Sequence, residues 1–219
     1  MYHAVPSITM PASPFRYGVF VLTAAVFVWS GLAPKDRFTW FLEVLPAVIA
    51  AVLLIVTYKR FPLTDLAYLL IGVHISILCV GGHYTYAEVP LFDWIRDAFH
   101  QSRNNYDKVG HFAQGFIPAL VVRELFIRRN VVPSAPWRNF LTVALCLAFS
   151  AGYEFFEWGV AVWTGEAADA FLGTQGYVWD TQSDMLYATA GAVLSLLLLS
   201  RAHDRQLAHL PEHASPAAR

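Results

Sequence analysis

The chain has 219 residues, 57% of them hydrophobic and 14% charged, and its formal net charge is −1. With a positive mean hydropathy this excludes an ordinary water-soluble domain, and the absence of a basic run leaves no face for nucleic acid, so no nucleic-acid partner is expected. The composition predicts an all-α, polytopic helical membrane protein whose first partner is the lipid bilayer.

Residues 1–15 carry no apolar face and are expected to be a mobile tail. Six stretches then approach the length that a hydrocarbon core of about 30 Å demands of a helix: 17–34, 39–58, 66–86, 110–127, 139–163 and 185–200. The first is longer than a signal-peptide core, and Pro34 after Ala33 disfavours cleavage, so it is read as a membrane helix. Residues 16–201 are thus expected to form one transmembrane domain, followed by a second mobile tail at 202–219 in which His203, His209 and His213 are read as incidental.

Arg16, Lys59, Arg60, Arg128, Arg129, Arg138, Arg201 and Arg205 fall on the side of the N-terminus, with Arg123 close to that face. The connection 164–184 contains no Lys or Arg, so the positive-inside rule places both termini in the cytoplasm. Inner connections are short, whereas 87–109 and 164–184 are long and hold aromatic and specific polar residues. Within the first of these, 91–101 has Leu91, Phe92, Ile95 and Phe99 at helical spacing and is expected to be a short interfacial helix.

Ionisable groups inside a span are expensive, so each needs a reason. Ser150, Glu154, Glu157 and Ala161 form one stripe of the fifth span. With a rise of about 1.5 Å per residue, Glu154 lies about 13 Å and Glu157 about 9 Å below its outer end. His111, Gln114, Gly115 and Pro118 share a face of the fourth span, and Asp180, Asp184, Tyr187 and Gly191 do so at the start of the sixth. The third span ends outward in His83, Tyr84 and Tyr86. Four helices thus bring polar stripes to one depth, which implies a wet cavity open to the exterior.

Plainer readings compete for some of these residues. Asp107 would serve as a helix cap, and Thr181 with Asp184 resembles a capping box. Arg123 and Glu124 would snorkel or pair locally, Glu43 reads as interfacial, and Gly173 and Gly176 as turn residues. His74, nine residues before His83, faces the opposite way on a straight helix and is expected to bond elsewhere. Cys79 and Cys146 differ in depth and are read as packing residues rather than a disulfide.

No cap or interface explains His111, Glu154 and Glu157. The catalytic candidates are therefore His111, Glu154, Glu157 and Asp184, with Tyr84, Tyr86, Arg103, Gln114 and Gln175 placed to meet a substrate. Carboxylates and imidazoles are the ligand set of divalent metals, and His83, His111, Glu154, Glu157 and Asp180 are the candidate ligands. A divalent metal is accordingly the one cofactor this donor set suggests, and without it the Glu154–Glu157 pair would hold a proton. HExxH, CxxC, GxSxG, Walker and GxGxxG patterns are all missing.

GGHYTYAEVP, NNYDKVGHFAQGF, YEFFEW and FLGTQGYVWDTQSDM followed by ATAGA resemble the YjdF-like family of bacterial inner-membrane proteins, over nearly everything between the tails. The resemblance implies a multi-pass inner-membrane protein whose biochemical role is not established. DKVGHF, a glutamate on the next span and an aspartate opening the last are also similar to VanZ-like membrane proteins, although the connection before Asp184 is longer here and lacks an expected arginine.

The leading expectation is a membrane enzyme, a metal-dependent hydrolase or transferase, acting on a lipid or other amphiphile from the exterior. The alternatives are a non-catalytic binding or assembly protein, and a proton-coupled transporter, which the apolar inner halves of the spans disfavour. Oligomeric state cannot be read from the sequence.

Overall fold

The computed structural model describes residues 13–165, 169–172 and 174–210. The expected tails therefore lie largely outside the described residues, as do Gly173 and His213. The described residues form eight helices: α1 Pro14–Gly31, α2 Arg37–Thr57, α3 Asp65–Tyr84, α4 Pro90–Ala98, α5 Tyr106–Arg128, α6 Ala135–Thr164, α7 Asp169–Leu172 and α8 Asp180–Leu207. Five of them, α1, α2, α3, α6 and α8, are long and apolar enough to cross a membrane. The sixth expected span, α5, has 23 residues, about 34 Å at 1.5 Å each, which is also long enough. It falls short in apolarity because it carries Asp107, Lys108, Arg123, Glu124 and Arg128, all of them buried or partly buried.

The helices begin where chemistry supplies a start. Asp36 accepts the Thr39 amide at 2.6 Å ahead of α2, and Thr64 accepts that of Ala67 at 3.3 Å ahead of α3. Pro14 and Pro90 open α1 and α4, where the missing N–H is harmless. The caps expected further on do not form. Asp107 lies inside the first turn of α5 and Asp184 inside the second of α8, and neither N-cap residue, Asn105 or Trp179, makes a side-chain cap bond. Both aspartates are engaged instead in ion pairs, Asp107 with Arg103 of the preceding loop and Asp184 with Lys108 on α5.

α5 is the centre of the bundle. It packs most extensively on α8 and also on α3 and α6, while α1 and α2 pack on α3. The α5–α8 contact is close because it is made of small residues: Ala119, Ala188 and Ala192 are fully buried. A Cβ on Gly115 would run into the Ala188 carbonyl, and one on Gly191 into that of Phe112. Cys79 and Cys146 are free and buried in separate clusters.

α8 runs on to Leu207, through residues 202–207 that the sequence assigns to the tail. The reason is a buried knot at the end of the bundle where α1 starts and α8 stops. Glu124 accepts the Thr64 amide (3.1 Å) and hydroxyl (2.9 Å), Arg128 Nη1 (2.7 Å) and His203 Nε2 (3.1 Å). Arg123 donates to His203 Nδ1 (3.0 Å) and Asp204 (2.7 Å). Glu124 and His203 are both fully buried. Arg123 and Glu124 thus tie α5 to α3 and α8 across 60 to 81 residues of sequence rather than pairing only locally, and His203 is a buried structural residue.

Candidate functional site

The opposite end of the bundle, where the 85–89, 99–105 and 174–179 connections lie, holds a second polar cluster. The small-residue contact brings the first turns of α5 and α8 together, so that side chains four residues apart on each helix face one another. Lys108 Nζ reaches Asp184 at 2.6 Å, Asp180 at 2.7 Å and Asp107 Oδ2 at 3.3 Å. Arg103 bridges Asp180 (2.5 Å) and Asp107 Oδ2 (3.4 Å) from the loop above, under the Tyr177 ring.

His111 lies one turn deeper. Its Nε2 is 3.2 Å from Asp107 Oδ1 and 3.8 Å from Asp184 Oδ1, and Nδ1 is 3.1 Å from Gln114 Oε1. Suitable donor atoms of Asp107, His111 and Asp184 all lie within 4.8 Å of one another. Atoms about 2.0–2.2 Å from one cation, at tetrahedral or octahedral angles, are about 3–3.6 Å apart, so closure of up to about an ångström would complete such a triangle. Gln114 then stands where an outer-shell partner fixes the imidazole ring and leaves Nε2 toward the ion.

Glu154 enters from α6. It is 8% exposed and its Oε1 makes no hydrogen bond, the nearest opposite group being His111 Nδ1 at 3.9 Å. Asp107, Asp180, Asp184 and Glu154 outnumber Arg103 and Lys108 by two, and all six are less than a tenth exposed. If every carboxylate is ionised and His111 is neutral, two negative charges remain that water cannot screen, and a divalent cation would balance them.

Beside the cluster lies a cavity of about 70 Å³, bounded by Glu43, His74, Asp107, His111, Tyr153 and Glu157 among others. It exceeds the roughly 10–15 Å³ that one water requires. Glu43 is 5% exposed and accepts from the Tyr153 hydroxyl at 3.4 Å, so it is a cavity carboxylate rather than an interfacial one.

His74 and His83 exchange the places expected of them. His74 faces the cavity, whereas His83 Nδ1 is 2.9 Å from the Ser30 carbonyl oxygen and its ring stacks on Trp29. The two point to different sides of α3, His83 toward α1 and His74 toward the cavity. Of the five candidate metal ligands, His111 and Glu157 line the cavity and Glu154 lies beside His111, whereas Asp180 does not line the cavity and pairs with Arg103 and Lys108.

The residues expected to meet substrate also divide. Gln114 and Arg103 belong to the cluster. Tyr86 lines the cavity, held against Gly81 and Gly110 with its ring on Tyr106, one residue past Thr85, whose positive φ of 59° caps α3. Tyr84 packs on His83. Gln175 clasps the backbone of Asn104 with two hydrogen bonds, 2.8 and 3.0 Å, and so joins the two long loops over the cluster.

Residues 15–205 match the model of a family described as predicted membrane protein (DUF2238). The chain is also 47% identical over 182 residues to the inner membrane protein YjdF of Escherichia coli strain K12, which covers 83% of this chain and 87% of that one. No solved structure matches it.

Proposed function

Because the chain belongs to the DUF2238 family of predicted membrane proteins, and is a multi-pass helical protein similar to one of an inner membrane, we propose that it is an inner-membrane enzyme whose loop-end cluster holds a divalent cation and works on the polar head of a lipid or other amphiphile. One observation carries this reading: the Asp107–His111–Asp184 triangle with the unpaired Glu154 oxygen beside it. Three protein ligands leave a cation an open position, where it would activate water or polarise a phosphoryl or carbonyl oxygen. Glu154 supplies a carboxylate for proton transfer, and Arg103 with Lys108 favours an anionic head group. The site faces the exterior and both termini the cytoplasm, as the basic residues gathered at the terminal end support.

The test is conversion of lipid by the purified protein in nanodiscs of defined phospholipids, followed by mass spectrometry with added Zn²⁺ or Mn²⁺ and with chelator. Metal-dependent product formation that His111→Ala abolishes is expected. Equal conversion by that variant, or none by wild type on any lipid class offered, would remove the enzymatic reading.

A non-catalytic binding role is favoured by one fact, that Arg103 and Lys108 already engage the three aspartates. It predicts that substitutions in the loops matter more than Glu154→Gln. Transport is less well supported, since the buried Ala119, Cys146 and Ala192 pack tightly where α5, α6 and α8 meet.

A further inference from the structure

α1 and α2 meet near the loop end, where Trp40 Nε1 donates to Ser30 at 3.1 Å and its ring packs on Phe27. Below that point the two helices leave an open groove of about 740 Å³ between them, floored by α3 through Tyr68 and Ile75. The groove runs from Phe27 and Ala47 down to Ser13 and Tyr58. Fourteen residues of α1 at 1.5 Å each make it about 21 Å long, more than the roughly 15 Å of one leaflet. Its walls are apolar along nearly their whole length, including Phe20, Ala24, Val28, Val48, Ala51 and Val52.

The terminal end of the groove differs. Arg16 lines it, is only 5% exposed, gives its Nε to Asp65 and lies beside the Tyr58 hydroxyl, while its Nη1 has no hydrogen-bond partner. The guanidinium lies over the Tyr68 ring at 5.3 Å. Lys59 and Arg60 follow directly on Tyr58, the groove residue that caps α2, and both are exposed. Arg16, Lys59 and Arg60 stand against the single carboxylate of Asp65, so the mouth is electropositive. A long apolar slot that ends at a buried, half-paired arginine at headgroup depth has the form of an amphiphile site.

We propose that this groove binds one anionic phospholipid, an acyl chain lying between α1 and α2 and the phosphate on Arg16. The site is separate from the loop-end cluster and does not depend on any activity there. Apolar packing alone would accept any lipid, or a second copy of the chain. The unpaired Nη1 and the basic mouth select an anionic head.

The test is native mass spectrometry of the full-length protein released from nanodiscs of equal phosphatidylglycerol and phosphatidylethanolamine. Wild type retains one phosphatidylglycerol, preferred about fivefold, the effect of a single basic residue near the surface. Arg16→Gln loses the preference and Arg16→Lys keeps most of it. Ala51→Trp, which fills the slot without removing a polar contact, loses the bound lipid with Arg16 intact, so the test stands even if Arg16→Gln misfolds. Equal retention of the two lipids by wild type, undiminished retention by Ala51→Trp, or a dimer in place of the lipid adduct would overturn the proposal.

Discussion

His111 is gripped at both ring nitrogens, by Gln114 on one side and by Asp107 and Asp184 on the other. Its orientation therefore depends on an amide that would not itself touch a cation. Gln114→Ala should weaken metal binding about 10–100-fold without abolishing it, as measured by competition with a chelator of known affinity. Unchanged affinity would mean that Nδ1 needs no partner. His111 and Glu154 are legible in the sequence because a titratable group deep in a span is costly, and neither a cap nor an interface accounts for it there. Asp107 and Lys108 are harder to assign, since the start of a helix calls for polar residues in any case. The true places of Glu43 and His74 are hidden because what they face, Tyr153 or the cavity wall, comes from distant sequence that no local spacing encodes.

The α5–α8 pair sets the distance on which the cluster depends. Gly115 and Gly191 bring the backbones into contact, so Gly115→Val or Gly191→Val should drive the helices apart and disperse the aspartates. Overpacking costs about 1–3 kcal/mol or more, and loss of a monodisperse peak in detergent chromatography is the expected readout. The terminal knot makes a separate prediction. Glu124→Gln leaves Arg128 and His203 with a weaker partner and should cost about 3–5 kcal/mol, seen as a lower thermal-unfolding midpoint. Metal content should stay at the wild-type level, since the knot and the cluster lie at opposite ends of α5 and α8. Five of the spans are readable from apolar length, whereas α4 is legible only in its helical spacing and α7 in neither. The end of α8 is not readable either, because residues 201–207 are largely polar and their helix is held by tertiary bonds to Arg123 and Glu124.

Across the whole molecule, polarity is concentrated at the two ends of one bundle and differs in kind. The terminal end is rich in basic side chains, of which Arg123 and Arg128 are paired in the buried knot, whereas the loop end carries surplus carboxylates around a cavity. A reporter fused at the C-terminus should read cytoplasmic if the distribution of Arg and Lys sets the orientation, and an exterior signal would invert the site. The central claim is that the surplus carboxylates and His111 hold a cation. Its most direct test is elemental mass spectrometry of the protein purified in nanodiscs, with wild type compared to His111→Ala, Asp184→Asn and the distant Glu124→Gln. A divalent metal near one per chain in wild type and Glu124→Gln, lost in His111→Ala and Asp184→Asn, is the predicted result. Metal-free wild type that remains folded after loading with Zn²⁺ or Mn²⁺ would contradict it.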